Sequence, residues 1–322
     1  MEVIIEYGLY FLVFVLPWQA RWIIRGGEIN NGYSEYSTIS LYGTDVLLII
    51  VLALFAVYKI INFSRKSGER LKIQPVWLLV AGLELMVFIS IFASADKLMA
   101  IYAYGRFLLG VGLFWLIMSA SYNRIKLIYA FLGGVFLQTC LGVWQFLIQS
   151  SRACKWLGLS VHNPADAGVS VVETLSGERW LRAYGGLDHP NMLGGLLAIS
   201  LLLALYIFLF KIHHKQYNSK FLINAKYLIL NIVVLFFLVG LFFTFSRGAW
   251  VGLIAGILSI LIIALIKRDL LAQKKILKII LAGGILVFIL FNLYGDLVMT
   301  RLAKDARLEL KSNAERIESF AG

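Results

Sequence analysis

Two short segments hold the residues best suited to chemistry. Arg182-Ala183-Tyr184-Gly185-Gly186-Leu187-Asp188-His189-Pro190-Asn191 leads straight into a long apolar run. Thr244-Phe245-Ser246-Arg247-Gly248-Ala249-Trp250 separates two others. Asn191 reads as the N-cap of a helix, with Pro190 just outside it, and Ser246 reads as a second cap. A helix start presents unpaired N–H groups and the positive end of the dipole, which makes it a ready anion site. The planar fork of arginine matches phosphate oxygens. Two such starts, with Arg182 and Arg247 beside them, suit a pyrophosphate. A single arginine there would more simply snorkel to lipid headgroups; two beside two capped starts favour the anion site.

Other groups carry less. His189 adjoins the anion site and could act as a base, although a loop histidine is more often satisfied by nearby backbone. His162 lies in the same connection, and His213 and His214 fall in a basic loop where solvation explains them. No histidine or cysteine pair has zinc-ligand spacing. Cys140 and Cys154 form no disulfide framework, and no phosphate-binding glycine-lysine loop or dinucleotide fingerprint is present. No cofactor or metal is expected. Gly248, Gly252 and Gly256 follow a spacing that lets a second helix approach closely, which would hold Arg247 in place.

The elements that position these residues follow from composition. Of 322 residues, 60% are hydrophobic and 15% charged, and the mean hydropathy is +0.83; soluble domains run near 45–50% apolar and 25% charged. A soluble globule is excluded. Apolar runs place helical spans near 3–18, 44–61, 76–94, 98–118, 127–148, 192–210, 227–245, 249–266 and 277–298. This predicts an all-α, polytopic transmembrane bundle of about nine spans in one domain, 1–298, with no internal repeat. The first run has no cleavage site after it and reads as a retained span.

The net charge of +12 sorts by loop and so needs no nucleic-acid partner. Connections 62–75, 119–126, 211–226 and 267–276, with their flanks, concentrate the lysines and arginines, opposed only by Glu69 and Asp269. The positive-inside rule makes them cytoplasmic, with the N-terminus inside. Glu2 and Glu6 before the first span and Arg21 and Arg25 after it argue locally for the reverse, and the later loops outweigh them. The outer face then receives 19–43, 149–191 and the tail 299–322. In the tail, Val298, Leu302, Ala306, Leu310, Ala314 and Ile317 recur three or four apart, the pattern of an amphipathic helix.

Two charges fall mid-span, Glu84 and Arg106. A charge at mid-bilayer costs roughly 2.5–3.5 kcal/mol even on the lenient scale. The turn Ser94-Ala95-Asp96-Lys97 makes their spans antiparallel neighbours, and counting along both helices puts them at similar depth. The expectation is a structural Glu84–Arg106 ion pair, with a proton or substrate relay as the functional alternative.

Arg182-x-x-Gly185 with Pro190-Asn191 at a span start, and Thr244-x-Ser246-Arg247-Gly248 at a span junction, resemble the O-antigen ligase and polymerase family. The resemblance spans most of the chain, chiefly from about residue 100 onward. It implies a fold of the glycosyltransferase C kind at the outer face of the inner membrane. The donor would be an undecaprenyl-pyrophosphate-linked glycan and the acceptor a hydroxyl on a glycan, lipid or protein. Arg182 and Arg247 match the family arginines that engage the pyrophosphate, with Asn191, Ser246 and His189 as neighbouring substrate contacts. The family's base histidine, in a later outer loop, has no match before Gly322; the resemblance therefore implies a truncated chain, or a complete one inactive as a ligase. The rivals are a small-anion, bicarbonate-like transporter, which lacks the usual inverted repeat and broken helices, and a non-catalytic membrane scaffold.

Overall fold

The computed structural model describes residues 1–29, 32–33, 37–63, 75–174, 176–210 and 220–303. Its helices are α1 (Glu2–Val15), α2 (Gly43–Phe63), α3 (Pro75–Ala93), α4 (Lys97–Ser119), α5 (Arg124–Ile148), α6 (Pro190–Phe210), α7 (Lys220–Phe243), α8 (Arg247–Ile266) and α9 (Leu270–Ala303). Each coincides with one of the nine apolar runs. Fewer than nine of them are span-length apolar helices among the described residues. Among the described residues, α2 to α6, α8 and α9 are long and apolar enough to cross a bilayer, so the chain is a multi-pass helical membrane protein. The 14 residues of α1 reach about 21 Å at 1.5 Å each, short of a hydrocarbon core of about 30 Å. The described apolar part of α7 is Leu228–Phe243.

The chain is also not purely helical. Strands β1 (Arg21–Arg25) and β4 (Ile39–Tyr42) pair antiparallel, as do β2 (Glu28–Ile29) with β3 (Gly32–Tyr33) and β5 (Val171–Glu173) with β6 (Arg179–Leu181). These ribbons occupy the two long connections. There the backbone lacks a helix to satisfy it, and cross-strand bonds do so instead.

The boundary between two compact units falls at Ala130/Phe131, inside α5; the sequence had suggested one membrane domain. In the first unit, short turns cap helices from both sides. Asp96 Oδ1 accepts from the Met99 N–H at 3.0 Å, starting α4. Lys97 Nζ donates to the carbonyls of Ile91 and Phe92 at the end of α3, at 3.2 and 2.5 Å, where a cation also meets the negative end of the dipole. Asn123 Oδ1 caps α5 by accepting from Ile125 and Lys126. The Asn123 N–H donates to Tyr10 Oη at 2.8 Å, tying α1 to that turn.

Arg106 does not pair with Glu84. Its Nη1 lies 3.1 Å from Asp45 Oδ2 at the start of α2 and 3.4 Å from Tyr102 Oη, and its guanidinium stacks 4.4 Å over the Tyr42 ring. Depth alone had suggested the pair; azimuth decides against it. At 100° per residue, Arg106 and Tyr102 share one face of α4. Tyr104, about 160° away from Arg106, packs on Phe88 of α3 at 5.7 Å. Half-buried Glu84 thus faces the wrong side of α4, and among the described residues it forms no ion pair.

In the second unit, Phe146 of α5 stacks on Phe243 of α7 at 4.0 Å and 13°. Tyr294 sets its edge against both rings at 5.4 Å. Tyr294 is where α9 kinks, with φ −127° and ψ 27°. Val298 therefore continues α9 rather than opening a separate tail helix, and tail positions 304–322 lie outside the described residues. So do His213, His214 and the basic positions within 64–74 and 211–219.

Candidate functional site: a cationic cleft at two helix starts

The second unit brings the two motif segments together. Arg182 lies at the junction and is 2% exposed. Its Nε donates to the Thr244 carbonyl, Nη1 to Ser170 Oγ and Nη2 to Asn191 Oδ1, each at 2.7 Å. The Ala183 N–H donates to the Phe243 carbonyl at 2.9 Å. One guanidinium thus fastens the start of α6 to the turn before α8. The planar fork expected to grip a ligand is instead turned on the protein itself.

Two glutamines of α5 and a third just past its end hold the same segment from behind. Gln138 Oε1 accepts from the Gly186 N–H at 2.6 Å. Gln145 Oε1 accepts from Gly185 at 2.9 Å and Tyr184 at 3.3 Å, while its Nε2 donates back to the Gly185 carbonyl at 2.9 Å. Gln149 Oε1 accepts from the Leu181 N–H at 2.7 Å. Gln138 and Gln145, seven apart, share one face of α5, and Gln149 follows in the turn that ends the helix, with φ 55°. Buried backbone in a membrane unit must be bonded by protein, and these amides supply both donors and acceptors. Gly185 is required here: its φ is +64°, and a Cβ would lie 3.0 Å from Gln138 Oε1 and 3.1 Å from the Gln138 carbonyl.

α6 starts at Pro190, which suits the first helical position because its missing N–H needs no partner there. His189 caps it: Nδ1 accepts from the Asn191 N–H and the carbonyl from Met192, both at 3.0 Å. Asn191 is not the cap, as the sequence suggested; its side chain serves Arg182. His189 spends Nδ1 on the backbone. Ser246 does occupy the cap position of α8, but its hydroxyl makes no capping bond.

The two helix starts meet because of Gly194. A Cβ there would come within 2.8 Å of Ser246 Cβ and 3.1 Å of Ala249 Cβ. This is the close crossing that had been assigned to Gly248, Gly252 and Gly256. Only Gly256 is crowded, by Leu202 Cδ1 at 2.6 Å; a Cβ on Gly248 or Gly252 meets nothing within 4 Å.

Those two glycines instead border a cleft of about 570 Å³, walled also by Asn191, Gly195, Ser246, Arg247 and Arg301. Half-buried Arg247 donates Nη1 to the Arg301 carbonyl at 3.3 Å. Past the Tyr294 kink, the last turns of α9 therefore set a second guanidinium at the cleft. Arg301 was not singled out from the sequence, where it belonged to the amphipathic tail pattern; nothing local marks it apart from its neighbours Lys304 and Arg307. Gln138 and Gln145 had a signal, two amides seven apart on one face of an otherwise apolar span.

On the other side of Arg182, Tyr184 Oη accepts from the Ser170 N–H at 2.6 Å, and the His162 ring lies over Tyr184 at 4.0 Å. His162 Nδ1 is 3.0 Å from Ser151 Oγ. Burial against this stack holds its pKa below the ordinary value, opposed by the Ser160 carbonyl and the Asp188 carboxylate. Burial likewise raises that of Tyr184.

No protein-family model, curated protein or solved structure matches the chain. Its functional reading therefore rests on the geometry of this cleft.

Proposed function

We propose that the chain binds a lipid-linked pyrophosphate glycan in this cleft and transfers the glycan to an acceptor hydroxyl, as O-antigen ligases and polymerases do. The reading places a glycosyltransferase C-like bundle in the inner membrane, with the N-terminus cytoplasmic and the cleft outside. One observation carries it: the starts of α6 and α8, with Arg247 and Arg301, border a single cleft bounded by side-chain-free glycines.

In the transfer, the acceptor oxygen bonds to the anomeric carbon, the bond from that carbon to the pyrophosphate oxygen breaks, and the acceptor's proton passes to a base. Negative charge grows on the departing pyrophosphate. Arg247, Arg301 and the dipole ends of α6 and α8 meet that charge without reorganising, the condition under which such groups are worth most. Arg182 becomes a positioning residue: through Thr244 and Asn191 it fixes the cleft rim on both sides. His189, committed to the α6 cap through Nδ1, is assigned no role as base.

The test uses membranes carrying the full chain. Arg247→Ala and Arg301→Ala should each weaken binding of inorganic pyrophosphate about tenfold and lower glycan transfer by roughly two to three orders of magnitude. Unchanged binding and transfer in Arg247→Ala would refute the assignment.

A further inference from the structure

Strands β1 and β4 of the first unit sit deeper than a connecting loop would. The α3–α4 hairpin sets the scale. α3 is long and apolar enough to cross a bilayer and has no buried residue, so its full length lies in lipid. The polar turn Ser94-Ala95-Asp96-Lys97 then marks the membrane boundary at its end. Phe88 of α3 packs on Tyr104, so the two helices run level, and Tyr102 lies five residues into α4, about 7 Å below that turn. Tyr102 Oη donates to the Ser40 carbonyl at 2.7 Å and accepts from the Ser40 N–H at 3.3 Å. β4 is therefore at the same depth. α1 ends below it: Glu2 meets Tyr58 and Gly8 meets Val51, which runs α1 antiparallel to α2 and brings its end to the start of α2. The chain covers the remaining thickness as β1.

We infer that the β1–β4 ribbon is an interfacial anchor, seated between the head groups and the acyl chains of one leaflet, with phospholipid as its partner. Trp22 is 70% and Ile24 66% exposed, and Leu41, paired across from Trp22, is exposed as well. The bulge between Ile23 and Arg25 admits Ile24 as an additional residue, the usual effect of such an irregularity. An indole beside aliphatic groups suits a boundary that is apolar on one side and wet on the other. Charge follows depth. Tyr42 and Asp45 meet Arg106, one turn deeper on α4 than Tyr102, so β1 rises toward the polar turn as it runs from Arg21 to Arg25. Arg21 Nη1 donates to Tyr42 Oη at 3.3 Å, while exposed Arg25 at the shallow end reaches the lipid phosphates. The backbone agrees. The edge of β4 away from β1 is bonded by side chains, Ser40 by Tyr102 and the Tyr42 N–H by Asp45 Oδ2 at 3.3 Å, as scarce water requires. Among the described residues β1 pairs with β4 alone; at roughly 5–10 Å into the boundary its other edge still meets head groups and water. A second copy is the poorer occupant of that edge. Antiparallel pairing about Ile23 would set Arg21 directly opposite Arg25, and like charges so placed destabilise a strand pair.

The experiment places the full chain in phosphatidylcholine nanodiscs whose lipids carry bromine either next to the ester groups or at the chain ends. Subtracting the tryptophan emission of Trp22→Phe from that of the unaltered protein isolates Trp22. The difference should fall at least twofold with the shallow bromines and less with the deep ones, and aqueous acrylamide should quench it weakly. Absence of quenching by either brominated lipid, with strong quenching by acrylamide, overturns the anchor. Stronger quenching by the deep bromines overturns the interfacial depth. Arg25→Glu, which repels phosphate, should lower the shallow quenching, and unchanged quenching removes Arg25 from the anchor. A second reading holds even if Trp22→Phe fails to fold: p-benzoylphenylalanine in place of Ile24 should, on illumination, add the mass of a phospholipid to the chain. Crosslinking to a second copy of the chain instead overturns lipid as the occupant.

Discussion

Arg182 and Arg247 look equivalent in sequence, yet the structure predicts opposite consequences for their loss. In Arg182→Met the aliphatic stem is retained and the guanidinium removed. Three acceptors, the buried Thr244 carbonyl, the half-buried Ser170 Oγ and Asn191 Oδ1 at the cleft rim, lose charged donors at 2.7 Å. Hydrogen bonds to charged groups contribute about 1.5–3 kcal/mol each. Taking the low end for all three, because bonds from one group are not additive, gives roughly 4 kcal/mol. At about 2–4 °C per kcal/mol for a unit of this size, the melting temperature should fall by roughly 10 °C. Arg247→Ala removes a half-buried group at the cleft wall, and the expected cost is about 1 kcal/mol or less. Thermal unfolding in detergent, followed by size exclusion, reads stability; calorimetric titration with inorganic pyrophosphate reads the cleft. Arg182→Met should melt early, and Arg182→Lys should recover little, since one ammonium cannot span three acceptors. Arg247→Ala should melt almost normally and bind weakly. If Arg182→Met melts like the unaltered protein and loses only binding, the division between a positioning and a ligand-facing arginine is wrong.

Further expectations concern the glycines, the Arg106 partner and His162. Gly252→Leu, which fills open cleft, should leave the melting temperature nearly unchanged and weaken pyrophosphate binding about tenfold, whereas Gly194→Val should destabilise by about 1–3 kcal/mol through overpacking. A double-mutant cycle on Asp45 and Arg106 should return a coupling of up to about 1 kcal/mol, because the pair is partly exposed, and the cycle on Glu84 and Arg106 should return none; reversed couplings would contradict the observed pairing. For His162 the folded state favours the neutral ring, so the unfolded chain binds more protons between the two pKa values and stability rises with pH there. The packing of segment 151–162 should therefore be intact above the ordinary value of 6.5 and weaken as pH falls through it. Hydrogen exchange of that segment at about pH 7 and about pH 5 should show the loss, and His162→Phe, which keeps the ring stack, should abolish the pH dependence.

The sequence alone determined where helices lie, because span length and apolar content are properties of contiguous residues. Seven of the nine helices start and end close to the expected boundaries; α7 and α9 begin well before their apolar runs, at Lys220 and Leu270, and α9 continues to Ala303, because a helix ends only where its backbone bonds do, not where its apolar run does. The sequence also determined that the two arginine-bearing segments sit at the starts of α6 and α8. It did not determine what either arginine does. Whether a guanidinium faces a ligand or the protein depends on which acceptors other segments bring to it. For Arg182 these come from positions 9, 12 and 62 residues distant. Arg301, 54 residues from Arg247, borders the cleft from the part of α9 that follows the kink at Tyr294. Likewise Arg106 had the right depth for Glu84 and the wrong azimuth. Local periodicity fixes element and depth; the direction a charge faces is set by long-range packing, and the tertiary structure alone decided it.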